Sequence, residues 1–104
     1  MSQPIRIDAD VKLDSKVLTD VAEALEPHAD TMFRQRRGRW VAVVELAHVE
    51  RVEPGPDEDK APAVKVRVTS LEIAPDVSWE ATLRQLMNDL YRRRTSDGTL
   101  DAAA

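Results

Sequence analysis

The sequence contains no cysteine. That excludes a disulfide framework, a thiolate nucleophile and any zinc site built on cysteine. Its three glycines are isolated from one another, so no glycine-rich loop is present to cradle a phosphate. Aromatic residues make up only 4% of the chain, leaving few rings on which nucleic-acid bases could stack. No apolar run approaches the length that spans a bilayer, so no membrane is expected as a partner. The opening stretch, MSQPIRIDAD, has no basic segment followed by an apolar one. No signal peptide is therefore expected, and the expected location is cytoplasmic.

Reactive constellations are equally sparse. His28 and His48 are the only histidines, and neither has a partner at metal-ligand spacing. Asp8 and Asp10 would point one way from a strand, as a solvated face commonly does. Asp57, Glu58 and Asp59 lack the spacing of a calcium-binding loop. Ser15, Ser70 and Ser78 have no evident base at a fixed offset. The expectation is a protein that is not an enzyme, with no catalytic residues, no metal, no cofactor and no evident small-molecule substrate.

What is present begins with charge. The chain has 104 residues and a formal net charge of −4. Seven of its fifteen basic residues fall in two clusters: Arg34, Arg36, Arg37 and Arg39, then Arg92, Arg93 and Arg94. Without them the net charge would be −11. Charge is thus segregated along the chain, as electrostatic steering requires. The length suits one domain, expected over residues 1–98 and followed by a disordered C-terminal tail over 99–104.

Periodicity gives the elements. Ile5, Ile7, Ala9, Val11 and Leu13 alternate with polar residues, the pattern of a half-buried strand. Leu18, Ala22, Leu25, Ala29, Met32 and Phe33 then recur at helical steps. Pro27 interrupts that helix, predicting a kink or two short helices with Pro27 in the first turn of the second. Gly38 is expected to end it in the left-handed conformation. Residues 40–52 read as a strand that is apolar on both faces. Trp40, Ala42, Val44 and Leu46 line one side, and Val41, Val43, Ala47 and Val49 the other. A loop rich in proline and acidic residues follows, then a return strand in which Val64, Val66 and Val68 alternate with Lys65, Arg67 and Thr69. The last element is a helix capped by Asp76 or Ser78, with Val77, Leu83, Leu86, Met87, Leu90 and Tyr91 on one face and Gly98 at its end.

The order strand, helix, strand, strand, helix predicts a two-layer α+β domain. It would have a three-stranded mixed sheet with both helices on one face, and its first two strands would be parallel. With the third strand between the other two, it would look like a truncated ferredoxin-like fold.

Two functional readings follow. Arginine in the last turn of a helix stabilises free carbonyls, but a cluster exceeds that need. Arg34, Arg36, Arg37 and Arg39, joined by Lys65 and Arg67, would suit the phosphates of a nucleic acid. The strand with two apolar faces points elsewhere, because both faces must be covered. Trp40, Val41, Val43 and Val49 are the expected contact residues for a second copy or another protein, with a homodimer the simplest form.

The pieces VELAHVER, PDEDK, VKVRVTSLEIA and RT..GTL, spread over about residues 40–100, resemble small uncharacterised proteins of actinobacteria and their phages. The resemblance carries no activity, cofactor or binding residues. It implies a mobile-element context, in which small accessory or regulatory proteins bind DNA or a host protein. The leading expectation is a phage-type accessory protein acting through protein contact or self-association, with nucleic-acid binding as the alternative.

Overall fold

The structure, a computed structural model, describes residues 8–100, with side chains from 8 to 96. The elements in chain order are β1 (Asp10–Leu13), α1 (Thr19–Leu25), a 3-10 turn (Glu26–His28), α2 (Ala29–Arg34), β2 (Ala42–Val52), β3 (Ala63–Ile73) and α3 (Val77–Leu100). The class is α+β. The chain divides into two compact units. Unit one comprises residues 1–24 and 44–71, and unit two comprises residues 25–43 and 72–104. No helix among the described residues is long and apolar enough to cross a membrane.

Proline shapes the first connection. Pro27 occupies the opening of the 3-10 turn, where its missing N–H costs nothing. The result is two short helices, one of the two expected outcomes, with Pro27 in the turn between them and not in the first turn of α2. The covered side keeps helical steps of three and four through the turn, but it runs through Val21 and His28, not through Ala22, Ala29 and Phe33. Val21 is buried and Leu18, Leu25, His28 and Met32 are partly covered, whereas Phe33 is 80% exposed.

The three strands form one sheet in the order β1-β3-β2, so β3 is central, the arrangement under which the ferredoxin-like comparison was made. Directions differ from expectation. β1 pairs with β3 in parallel, from Asp10 opposite Ala63 to Leu13 opposite Val66. β2 runs against β3: Ala74 N–H donates to the Val41 carbonyl, while Lys65 pairs with Glu50 far along the same two strands. β1 and β2 therefore run in opposite directions, not parallel. A connection broken at Pro27 and finished by the non-helical stretch 35–41 is not the single crossover helix that would return the chain to its starting end. The truncated ferredoxin-like comparison holds for strand order and not for strand direction.

β1 is exposed along its whole length, Val11 and Leu13 included, and is not half-buried. The sequence-based strand also took in residues 5 to 7, which lie outside the described residues. α3 continues through Gly98 to Leu100, so that glycine ends nothing, and residues 101–104 lie outside the described set. Asp76 caps α3: its carboxylate accepts the Trp79 backbone N–H at 2.9 Å. Gly38 lies four residues beyond the end of α2, and no glycine among the described residues has positive φ. Its role is spatial. A side-chain carbon there would overlap the Trp40 indole, with Cζ3 only 2.8 Å away.

Only two hydrophobic side chains among the described residues are buried, Val21 in unit one and Val41 in unit two.

Candidate interaction surface

In unit two, α3 carries the apolar stripe that its periodicity prescribes, but little covers it. Leu86, Met87 and Leu90 are each half or more exposed, as are Trp79 and Tyr91, and only Leu83 is partly covered. A soluble helix is ordinarily stabilised by burying such a stripe. Here Leu83, Leu86, Met87 and Leu90 form one wall of an open groove of about 220 Å³, opposite Val41, Ala42 and Val43. Hydrophobic side chains supply every one of these positions.

The residues expected to make partner contacts take up different positions. Val41 turns inward at 5% exposure and serves unit two as core. Trp40 packs over Gly38. Val43 stands on the groove rim at 54% exposure. Val49 lies within β2 in unit one and is partly covered. The two-faced apolar pattern of β2 is not matched by two covered faces, since Val43, Val44, Leu46 and Val52 are exposed on an edge strand. A strand apolar on both faces can be central, but β3 takes that place because it pairs on both sides.

The basic residues sort in a similar way. Arg34 ends α2 and pairs with Asp30 at 3.6 Å. Arg36, Arg37 and Arg39 follow in the turn and the extended stretch, exposed and with no acidic partner among the described residues. All four belong to unit two. Lys65 and Arg67 lie on β3 in unit one and are engaged by carboxylates. Lys65 Nζ sits 3.3 Å from Glu50, and Arg67 Nε donates to Asp14 at 2.6 Å. The Arg67 guanidinium holds the Asp14 carboxyl below the ordinary carboxylate range. The Lys16 backbone N–H and the Lys65 charge add to this effect, against some desolvation. Arg92, Arg93 and Arg94 are not in a last turn, because α3 runs past them. Arg94 lies over the Tyr91 ring, 5.3 Å from its centre.

A second concavity, of about 360 Å³, lies in unit one. It places His48 and the Arg51–Glu53 ion pair beside Val52, Pro62, Ala63 and Val64. Among the described residues no group of three histidine, aspartate or glutamate side chains stands close enough to hold a metal ion.

Sequence reasoning found the α3 stripe but not its exposure, since a period identifies an apolar face without saying what covers it. Asp14, which sequence reasoning did not single out as a site residue, lies five residues before α1 and serves Arg67. Comparison with protein-family models, with curated proteins and with solved structures gave no match to this chain.

Proposed function

We propose that this chain is a non-enzymatic accessory or regulatory protein of phage type that works by contact with another protein chain, a second copy included. The observation that carries this reading is the uncovered stripe Leu86, Met87 and Leu90 beside the groove in unit two. Exposed apolar surface framed by charge commonly marks a protein contact. Cross-linking followed by mass analysis tests it. The wild-type chain should be joined to a protein, its own copy or a distinct one, and Leu90→Glu should lose that product while helix content stays the same. A product undiminished in the variant, or none from the wild type, overturns the reading.

A specific observation favours one alternative. Arg36, Arg37 and Arg39 are exposed without acidic partners, next to Arg34, as phosphate contacts require. Lys65 and Arg67 add less, because each is already held by a carboxylate. Four such phosphate contacts would weaken about a hundredfold between roughly 50 and 200 mM salt. A mobility-shift titration that finds no binding even at the lower salt removes this alternative.

A further inference from the structure

We infer that the partner on the α3 surface is a second copy of this chain, its α3 laid antiparallel to the first about a two-fold axis between Leu86 and Met87. This inference rests on the contact reading above and names its partner.

The argument starts from three columns of side chains along α3, each repeating every seven residues. One is Trp79, Leu86 and Arg93. The second is Leu83 and Leu90. The third is Glu80, Met87 and Arg94. Because α3 is unbroken from Val77 to Leu100, all three lie on the same side of one helix. Apart from the partly covered Glu80 and Leu83, these side chains are exposed within a single chain, which leaves that side available.

Each column is complementary to itself only when reversed. An antiparallel second copy sets Leu83 against Leu90 and brings Leu86 and Met87 to the axis. The same reversal lays the Arg93 guanidinium on the Trp79 ring, a favourable cation–π contact. It also sets Arg94 opposite Glu80. Arg94 already sits over an aromatic ring, and Glu80 already pairs with Arg84 at 3.1 Å, so the two ends form extended networks. A parallel second copy would instead set Arg93 against Arg94 and leave Glu80 with no basic residue at its level. Like charges at matched levels oppose that arrangement. The arginine excess over what a helix end needs thereby gains a purpose opposite Trp79 and Glu80 near the start of the same helix. A two-fold contact of this kind uses the same patch on both copies.

Sedimentation velocity over a range of concentrations tests the pairing in the full chain. The wild type should be dimeric at high micromolar concentration. Leu86→Glu should be monomeric with unchanged helix content, because it places two carboxylates at the axis. Glu80→Arg and Arg94→Glu should each weaken the dimer, roughly tenfold in Kd, since every change acts twice. The combined swap Glu80→Arg with Arg94→Glu should recover most of that loss. A double variant no tighter than either single change overturns the antiparallel arrangement. A wild-type monomer at every concentration overturns self-pairing altogether. The contact reading would then stand only if cross-linking joins a distinct protein and Leu90→Glu abolishes the product.

Discussion

Unit one has two charge pairs that join separate strands, beside the local pair Arg51–Glu53, whereas the charges of unit two are joined to near neighbours or left unpaired. Arg67 reaches Asp14 over 53 residues, and Lys65 reaches Glu50 from the adjacent strand. Thr69 extends this polar row by donating to the Glu45 carboxylate at 2.7 Å. In unit two the ion pairs are Arg34–Asp30 and Arg84–Glu80, each spanning one helical turn. Pairs of the first kind hold separate strands in register. Pairs of the second kind favour only the helix that contains them. Unit one thus uses charge to tie its strands together, while unit two leaves Arg36, Arg37 and Arg39 without acidic partners among the described residues.

The largest effects should come from the two buried valines. Val21→Ala and Val41→Ala each remove two buried methyl equivalents and should cost about 2 kcal/mol in urea denaturation. Leu86→Ala removes more atoms but from a half-exposed site, so at low concentration it should cost less than half as much. A Leu86→Ala loss equal to that of Val41→Ala would erase the contrast between core and surface in unit two.

Acid should act next, and on unit one. Asp14 titrates below its unfolded value because Arg67 donates to it. A depressed carboxylate stabilises the fold above the unfolded pKa, ~3.9, and that contribution disappears as pH falls through the folded value. Wild type should therefore lose stability through the acid range, and Asp14→Asn should be less stable at neutral pH. The two denaturation midpoints should converge in acid. Parallel pH profiles would show that the Arg67 contact adds nothing.

How much of this was legible depends on range. Pro27 and Asp76 act within a few residues, and their effects, a broken helix and a capped one, could be read directly. The alternation of Val64, Val66 and Val68 with Lys65, Arg67 and Thr69 gave β3 for the same reason. Strand direction depends on the path of residues 14–41, and no local pattern fixes it. The Arg67–Asp14 contact joins a strand to the residue just after another strand, 53 positions away. Arg67 therefore read alone as a phosphate ligand, without its partner. Gly98 misled because a glycine can sit inside a helix at a cost of only ~1 kcal/mol, which a long helix absorbs.

Gly38 gives a smaller effect that locates the start of the exposed region. Its N–H donates to the Gln35 carbonyl at 2.9 Å, closing the turn after α2. Gly38→Ala would press on the far edge of the Trp40 ring and on Gln35 Cβ, 3.0 Å away. A ring edge can swing aside, so the cost should be near the low end of overpacking, about 1 kcal/mol. The tryptophan emission should shift with it, and a Trp40→Phe background, leaving Trp79 as the reporter, should abolish that shift. An unchanged spectrum would mean that the indole does not lie over the turn.

The smallest effect tests whether local pairs contribute as little as their geometry implies. Asp30 and Arg34 stand 3.6 Å apart with side chains 90% and 79% exposed. Water screens them, and holding two long side chains together costs entropy that offsets most of the attraction. Asp30→Asn should therefore change stability by no more than ~0.5 kcal/mol. Its sign is informative because Asp30 sits in the first turn of α2 and Arg34 in the last. Both positions favour their charges through the helix dipole, so a double-mutant cycle is needed to separate the pair from its surroundings. A coupling energy near zero would leave Arg34 as free to meet an outside anion as Arg36, Arg37 and Arg39. A coupling above ~1 kcal/mol would tie it to α2 and shrink the cluster to three.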